Sequence, residues 1–457
     1  MLLHSCPDTV HRFLLRKTQT STPLIEGSFT RKVPPFGNTP AVADCRYRAP
    51  LSPRLHGMYQ YNVFFTVCQM KKKLWQNIKY YIIDAASLKK KYKVGCGKMK
   101  RIGLLTSGGD CQALNATMRG VVKGLSNNLE ELEVYGFDDG YKGLIYGNYR
   151  MLSSKDFSGI LTRGGTILGT SRQPFKLMRV PDEKGLDKVE AMKQTYHKLR
   201  LDCLVILGGN GTQKTANLLR EEGLNIIHLP KTIDNDIWGT DMTFGFQSAV
   251  NIATDAIDCI HTTAASHSRV FIVEVMGHKV GWLTLHAGIA GGADIILIPE
   301  IPYDIEKVVE AINRRNKAGK GFTILAVAEG AVSKEDAKLP KKELKKKLEE
   351  YKKQYPSVAY KLASELEKKL DLDIRITIPG HMQRGGSPCP YDRVLSTRLG
   401  SEAAKLILED DYGYMVGIVN GKVKKVPLGE CAGKLKMVSP TDQLVGDAKR
   451  IGISFGD

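Results

Sequence analysis

A chain of 457 residues, 42% of them hydrophobic, can bury a large core, and its length alone allows roughly two to four domains. No apolar run reaches the ~18 residues that a membrane-spanning helix requires, and the nine cysteines show no C-x-x-C pair or metal-ligand spacing, so they read as reduced thiols of a cytoplasmic protein. The net charge of +19 resembles a nucleic-acid signal, but residues 1–98 carry 17 Lys and Arg against 4 Asp and Glu while 99–457 carry 50 against 44, so the body stands at +6. That is ordinary for an enzyme handling phosphorylated anions, and neither nucleic acid nor a membrane is expected as a partner.

Residues 1–98 show no clear period and are interrupted by prolines at 7, 23, 34, 35, 40, 50 and 53. This basic extension reads as disordered or artefactual. A targeting segment and a functional basic arm stay open as alternatives, and Met99-Lys100-Arg101-Ile102-Gly103 looks like a natural enzyme start.

From Arg101 onward, apolar strands alternate with amphipathic helices, which predicts an α/β fold with largely parallel sheets. Ile102 to Leu105 runs into Thr106-Ser107-Gly108-Gly109-Asp110 and a helix near 113–125. A glycine-rich turn opening a helix leaves amide N–H groups free for a phosphate, and glycines are equally common as plain turn residues. The stretch 163–172 offers small residues and ends on Arg172. A strand at 203–207 enters Gly208-Gly209-Asn210-Gly211-Thr212, and a third, at 226–229, ends in Pro230-Lys231-Thr232-Ile233-Asp234-Asn235-Asp236. Two carboxylates one residue apart on a strand-end loop suit acid–base chemistry or a metal.

A long helix is expected at 243–262, strands at 270–276, 295–299 and 322–328, and a helix at 305–318. Residues 334–371 depart from this pattern as a Lys/Glu-rich helical insertion broken at Pro340 and Pro356. Last comes Arg375 through His381, Arg384 and Pro388, three basic side chains around a glycine turn, suited to a phosphate monoester.

Taken in order, these motifs make the region 99–457 resemble the phosphofructokinase family. The likeness is carried by Ser107 to Asp110, Gly208 to Thr212, Pro230 to Asp236, Glu274 to Gly277 and Gly380 to Pro388 together. It implies a two-domain fold: 99–246 with about 384–432 as the nucleotide-binding domain, and about 247–383 with 433–457 as the sugar-phosphate domain, insertion included. It also implies phosphoryl transfer from ATP to the 1-hydroxyl of fructose 6-phosphate. Asp234 would be the base; Asp236 with Asn210 would hold Mg2+; Thr232, Lys231 and Arg172 would handle phosphate oxygens; Gly109, Gly209, Gly211 and Thr212 would line the nucleotide site. Met276, Gly277, Glu329, His381 and Arg384 would grip the sugar phosphate, with Arg269 and Arg375 coming from a neighbouring subunit of a homo-oligomer, dimer or tetramer.

Donor choice rests on two positions. Family members that use pyrophosphate carry an aspartate at the place of Gly211, which leaves room for a nucleotide α-phosphate here; Lys231, in contrast, stands where many of those members have lysine. ATP is therefore the expected donor, with a pyrophosphate-dependent enzyme as the alternative. Asn210 replaces an aspartate that usually helps hold magnesium and His278 replaces an arginine near the phosphates, which keeps a weakly active or regulatory subunit as a further alternative.

Overall fold

The computed structural model describes residues 99–267 and 269–457, so the reading of 1–98 lies outside the described residues. The first strand, β1 (Lys100–Ser107), is almost wholly buried along its length, as a strand covered on both faces must be. It lies inside a seven-stranded sheet with β2 (Leu132–Phe137), β3 (Tyr149–Leu152), β4 (Cys203–Gly208), β5 (Ile226–Pro230), β10 (Tyr414–Val419) and β11 (Lys422–Pro427), in the order β11-β10-β5-β4-β1-β2-β3. The interior pairs are parallel, and antiparallel pairs close both edges. A second sheet, order β7-β8-β6-β9, is parallel throughout, formed by β6 (Val270–Val275), β7 (Ile295–Leu297), β8 (Thr323–Ala328) and β9 (Ile374–Thr377).

Helices cover these sheets: α1 (Leu114–Ser126), α2 (Tyr141–Tyr146), α3 (Lys188–Lys198), α4 (Asn210–Glu221), α5 (Phe246–Ala264), α6 (Trp282–Ala290), α7 (Ile305–Lys317), α8 (Lys334–Ala337), α9 (Lys341–Gln354), α10 (Val358–Glu367), α11 (Pro390–Leu408), α12 (Leu428–Cys431) and α13 (Gln443–Arg450). Because side chains alternate along a strand, each sheet serves two cores. Ile102 and Leu104 with Val205 and Leu207 share one cluster with Phe271, Val273 and Val275 of the small sheet, while Leu105, Leu204 and Ile206 face a second cluster and Val270, Ile272 and Leu325 a third. One apolar layer is thus common to both sheets.

The strands expected at 203–207, 226–229 and 322–328 lie within two residues of those observed. The long helix starts later than expected, at Phe246, because Gly245 adopts φ +99°, which a helix cannot continue through; a Cβ there would also stand 2.5 Å from the Cys111 Sγ. The insertion is only partly solvated. Its α9 buries no residue, whereas Ala359, Leu362 and Leu366 of α10 belong to the third core. The buried carboxylate of Asp336 gathers the insertion's helices, 2.6 Å from the Lys347 Nζ and 3.4 Å from that of Lys361.

The α1–α11 contact holds the first glycine turn in place, and it depends on close backbone approach. A Cβ on Gly400 of α11 would lie 2.7 Å from both the Thr117 carbonyl oxygen and the Val121 nitrogen of α1. Gly400→Ala should therefore lose about 1–3 kcal/mol despite alanine's better helix propensity. Gly211→Ala, in a helix but facing open space, should lose none; thermal melts of the two variants compare them directly.

Candidate active site

The parallel register brings three strand ends to one level: Ser107 pairs with Gly208, and Gly208 with Pro230. Each strand then releases one loop at the carboxyl edge of the sheet, where open α/β sheets bind ligands. In the first loop Gly108 adopts φ +86°; its N–H donates to the Ser171 carbonyl at 3.1 Å, and its own carbonyl accepts from the Thr170 hydroxyl at 2.7 Å. This staple leads the chain past the glycines just before Arg172, which is exposed.

The second loop is shorter than a turn. Gly209 is the extended N-cap of α4, and Asn210, Gly211 and Thr212 already form its first turn. Their N–H groups are the unpaired donors of a helix start, aimed where an anion is favoured. The Thr212 hydroxyl donates to the Ser107 carbonyl at 3.3 Å and ties α4 to β1. The Asn210 side-chain nitrogen donates to the Lys434 carbonyl at 2.7 Å; an acceptor there fixes the amide orientation and leaves its oxygen as the atom able to meet a cation. No atom lies within 4 Å of a Cβ built on Gly211.

The third loop turns on Asn235, a buried residue at φ +53°. Its side chain accepts from the Thr243 N–H at 3.0 Å and donates to the Asp241 carbonyl at 3.3 Å, so Asp234 and Asp236 flank a fixed reversal. Nothing in residue type marks Asn235 apart from its neighbours; only its tolerance of the left-handed region was a usable signal. The Asp234 N–H donates to the Thr232 hydroxyl at 3.0 Å. Lys231, 3% exposed, donates its ammonium to the Gly109 carbonyl, and burial pushes its pKa down.

In the small sheet, β6 and β8 also end in register, Val275 against Ala328, so Met276 and Glu329 follow at one level. The Glu329 carboxylate accepts from the Gly277 N–H at 3.3 Å and the His278 N–H at 2.7 Å. Gln383, not singled out from sequence, is fully buried and joins three elements. Its side-chain oxygen accepts from the Met276 N–H at 3.2 Å, its nitrogen donates to the Gly380 carbonyl at 3.1 Å, and its backbone carbonyl accepts from Gln112 at 2.9 Å. His381 is exposed; Arg384 reaches back to the Asp110 carbonyl at 3.0 Å, and a Cβ on Gly109 would stand 3.0 Å from the same Arg384 nitrogen. Gly109 therefore sits between two cations, Lys231 and Arg384, where any side chain would displace the guanidinium.

Glu274, part of the same motif as Met276, serves elsewhere. It is buried and accepts the Ala359 N–H at 2.7 Å at the start of α10. Arg269 and Arg375 are not brought to the other sugar-side residues within one chain. Both pair with Asp373, at 2.7 and 2.5 Å, at the amino edge of the small sheet. The span of β6 puts that edge roughly 20 Å from Met276.

Burial raises the pKa of Asp234, which Arg384 lowers and Glu329 raises in turn. Among the described residues Asp234 Oδ1 and Arg384 Nε are buried without a hydrogen-bond partner. Burial, and then the neighbouring Asp234 charge, push Asp236 up to about 6. Unpaired buried polar atoms call for a partner, and a ligand or water can supply one here.

The family model for phosphofructokinase matches residues 101–407. The chain belongs to the phosphofructokinase family. A protein of Spirochaeta thermophila named ATP-dependent 6-phosphofructokinase is 54% identical over 365 residues, covering 78% of this chain and 98% of the relative. One of Bacteroides thetaiotaomicron named ATP-dependent 6-phosphofructokinase 3 is 47% identical over 357 residues, covering 78% and 100%. Among solved structures, phosphofructokinase from Saccharomyces cerevisiae superposes with a TM-score of 0.63 at 32% identity, over 72% of this chain and 45% of that one, so the chain spans less than half of the yeast protein's length. The phosphofructokinase fold of mixed sheets flanked by helices is the one observed here.

Asp236 generates a stability prediction. Its folded pKa of about 6 exceeds its ordinary 3.8, so ionising it opposes folding. The penalty is absent below the unfolded value, grows between about pH 4 and 6, and is complete above, on the order of 3 kcal/mol. Without divalent metal, Asp236→Asn should melt higher than the parent chain at pH 7.5, with the gap narrowing at pH 5. An equal gap at both values would remove Asp236 as its source.

Proposed function

We propose that this chain transfers the γ-phosphoryl group of ATP to the 1-hydroxyl of fructose 6-phosphate, giving fructose 1,6-bisphosphate, the reaction named for its relatives. The observation that carries the reading is Asp234: a carboxylate with one unpaired oxygen, under the influence of Arg384 and Lys231, standing where the donor loops meet the Met276–Glu329–Arg384 side. In that place Asp234 accepts the sugar hydroxyl proton as the new O–P bond forms, and its raised pKa brings it toward the range of a general base. Lys231 and Arg172, with the Gly109 turn, offset charge on the transferring group, and Thr232 orients its oxygens. The α4 N-terminus at Gly209 to Thr212 receives the nucleotide phosphates.

Phosphoryl transfer calls for a divalent cation, and the residues present fit Mg2+. Asp236 is a carboxylate whose charge is opposed by burial and by Asp234, and Asn210 offers an amide oxygen; hard oxygen donors of this kind suit the ion. When bound, Mg2+ neutralises charge shared between donor phosphates. Asn210, in place of a second carboxylate, implies weaker retention of the metal.

In this reading Glu329 takes a sugar hydroxyl and His381 with Arg384 the 6-phosphate. The separation of Arg269 and Arg375 from these residues is what a shared site predicts: a neighbouring copy brings its arginine pair to this sugar, so the working unit is a homo-oligomer. Among the described residues five cysteines are free and no helix is long and apolar enough to cross a membrane.

Parallel assays with fructose 6-phosphate, Mg2+ and either ATP or pyrophosphate test the reading. Turnover with ATP is expected, and turnover only with pyrophosphate would overturn the donor. Asp234→Ala should cost at least about 10²-fold in kcat with sugar binding nearly unchanged; near-normal turnover would remove it as the base. Gly211→Asp projects into open space and adds an acid to a helix first turn, so it should leave the melting temperature unchanged or higher while selectively weakening ATP use. Unaltered ATP affinity would contradict the steric account of donor choice.

A further inference from the structure

The segment Lys434–Val438 lies outside every motif discussed above, yet it touches all three parts of the site. The Lys434 carbonyl accepts from Asn210 of the donor loop at 2.7 Å. Leu435 bridges Ile237 in antiparallel fashion, and the Lys436 N–H donates to the Asp236 carbonyl at 2.9 Å. The Lys436 carbonyl accepts from the Trp282 indole at 3.0 Å, at the start of the helix that follows the Gly277–Gly281 loop. Two residues on, the Val438 N–H donates to Glu300 at 2.9 Å, and the same carboxylate oxygen takes the Gly281 N–H at 3.0 Å.

The Lys436 side chain adds a second tie to the catalytic loop. Its ammonium donates to the carbonyls of Thr240 at 2.9 Å and Asp241 at 2.8 Å, and lies 5.6 Å from the Trp282 ring centre. Those carbonyls close the loop that Asp234 and Asp236 open. On its far side the loop is pinned to β10, where the Asp241 N–H donates to the Ile418 carbonyl and the Ile418 N–H donates to the Thr240 hydroxyl at 2.9 Å. Residues 236–241 are therefore clamped between a strand and a lysine. A lysine whose donors go to two loop carbonyls fixes backbone position: the exposed Asp241 carbonyl also accepts from Asn235, while the carbonyl of buried Thr240 is held by the ammonium.

We infer that Lys436 is a positioning residue: from outside the site it sets Asp234 and Asp236 against Asn210 and the sugar loop, through one strap of backbone. The inference rests on the proposed kinase reading. Lys436 touches neither substrate in that reading, so its loss acts on the geometry of the reacting groups and spares sugar binding. Misplacement near 1 Å of groups aligned for transfer can cost ~10²-fold in rate.

The test uses the full chain with ATP, Mg2+ and fructose 6-phosphate. Lys436→Met, which keeps the aliphatic stem and removes the donors, should lower kcat at least about tenfold while KM for fructose 6-phosphate stays within about twofold. Lys436→Arg, which can still donate to both carbonyls, should recover most of the loss. Trp282→Phe keeps a ring but removes the indole donor, and should lower kcat about threefold, again without a KM change. Any of these results overturns the inference: kcat of Lys436→Met within about threefold of the parent, a KM rise that accounts for the whole effect, or Lys436→Arg no better than Lys436→Met. Should Lys436→Met not fold, Trp282→Phe decides, and parental kcat there overturns it. An inactive parent chain would instead sink the kinase reading, so the two failures are distinct.

Discussion

The parallel register of β1, β4 and β5 is the constraint on which the site depends. With Ser107, Gly208 and Pro230 side by side, three loops leave the sheet at one height, and no single loop needs to be long. Each then reaches its neighbours by one short tie: Thr212 to Ser107, Lys231 to Gly109, Gly108 to Ser171. A slip of one residue in any pair would reverse the facing of every side chain in that strand and send the residues shaped for one core into the other. The hydrophobic core therefore guards the spacing of the loop groups. The same logic operates in the small sheet, where Val275 against Ala328 sets Met276 beside Glu329.

Electrostatics gives this scaffold its bias. Lys231 and Arg384 approach Gly109 from two directions, and Asp234 and Asp236 are held near them in surroundings that oppose their ionisation. Cations and carboxylates crowded at low exposure are costly when unpaired. Asp234 keeps an unpaired oxygen and Arg384 an unpaired nitrogen, so the free protein holds polar capacity open to a bound ligand or water. Binding and folding are thus set against each other here: the arrangement that would serve phosphoryl transfer is one that the apolar core has to stabilise from elsewhere.

Much of this was legible in residue patterns because the central strands are buried on both faces and read as unbroken apolar runs bounded by glycine or acid. What escaped was either short or exposed. β11 alternates lysine and valine at a sheet edge, where charge guards against edge pairing, and it therefore reads as a solvated loop. β3 is exposed along most of its length. Within the site, the charged and small residues were visible because chemistry demands those types, whereas Gln383 and Asn235 act through amide hydrogen bonds that any surface amide could make. Their importance lies in burial and partners, which spacing does not encode. The family likeness supplied roles that the patterns alone left open, including the separation of Arg269 and Arg375 from the rest.

That separation bears on the shared site proposed above. The pair stands on Asp373 at the edge of the small sheet opposite Met276, so each arginine already has a carboxylate partner before any sugar phosphate arrives. Exposed pairs of this kind contribute little to stability, typically under ~1 kcal/mol. Both guanidiniums can therefore exchange Asp373 for a phosphate at small cost, while Asp373 keeps them from drifting apart in its absence. A shared acid that holds two cations near each other, loosely, prepares them for a dianion they would reach together; a strong buried pair would have locked them away from it. The weakness of the Asp373 contacts is in that sense what the proposed use of the arginine pair by a neighbouring copy requires.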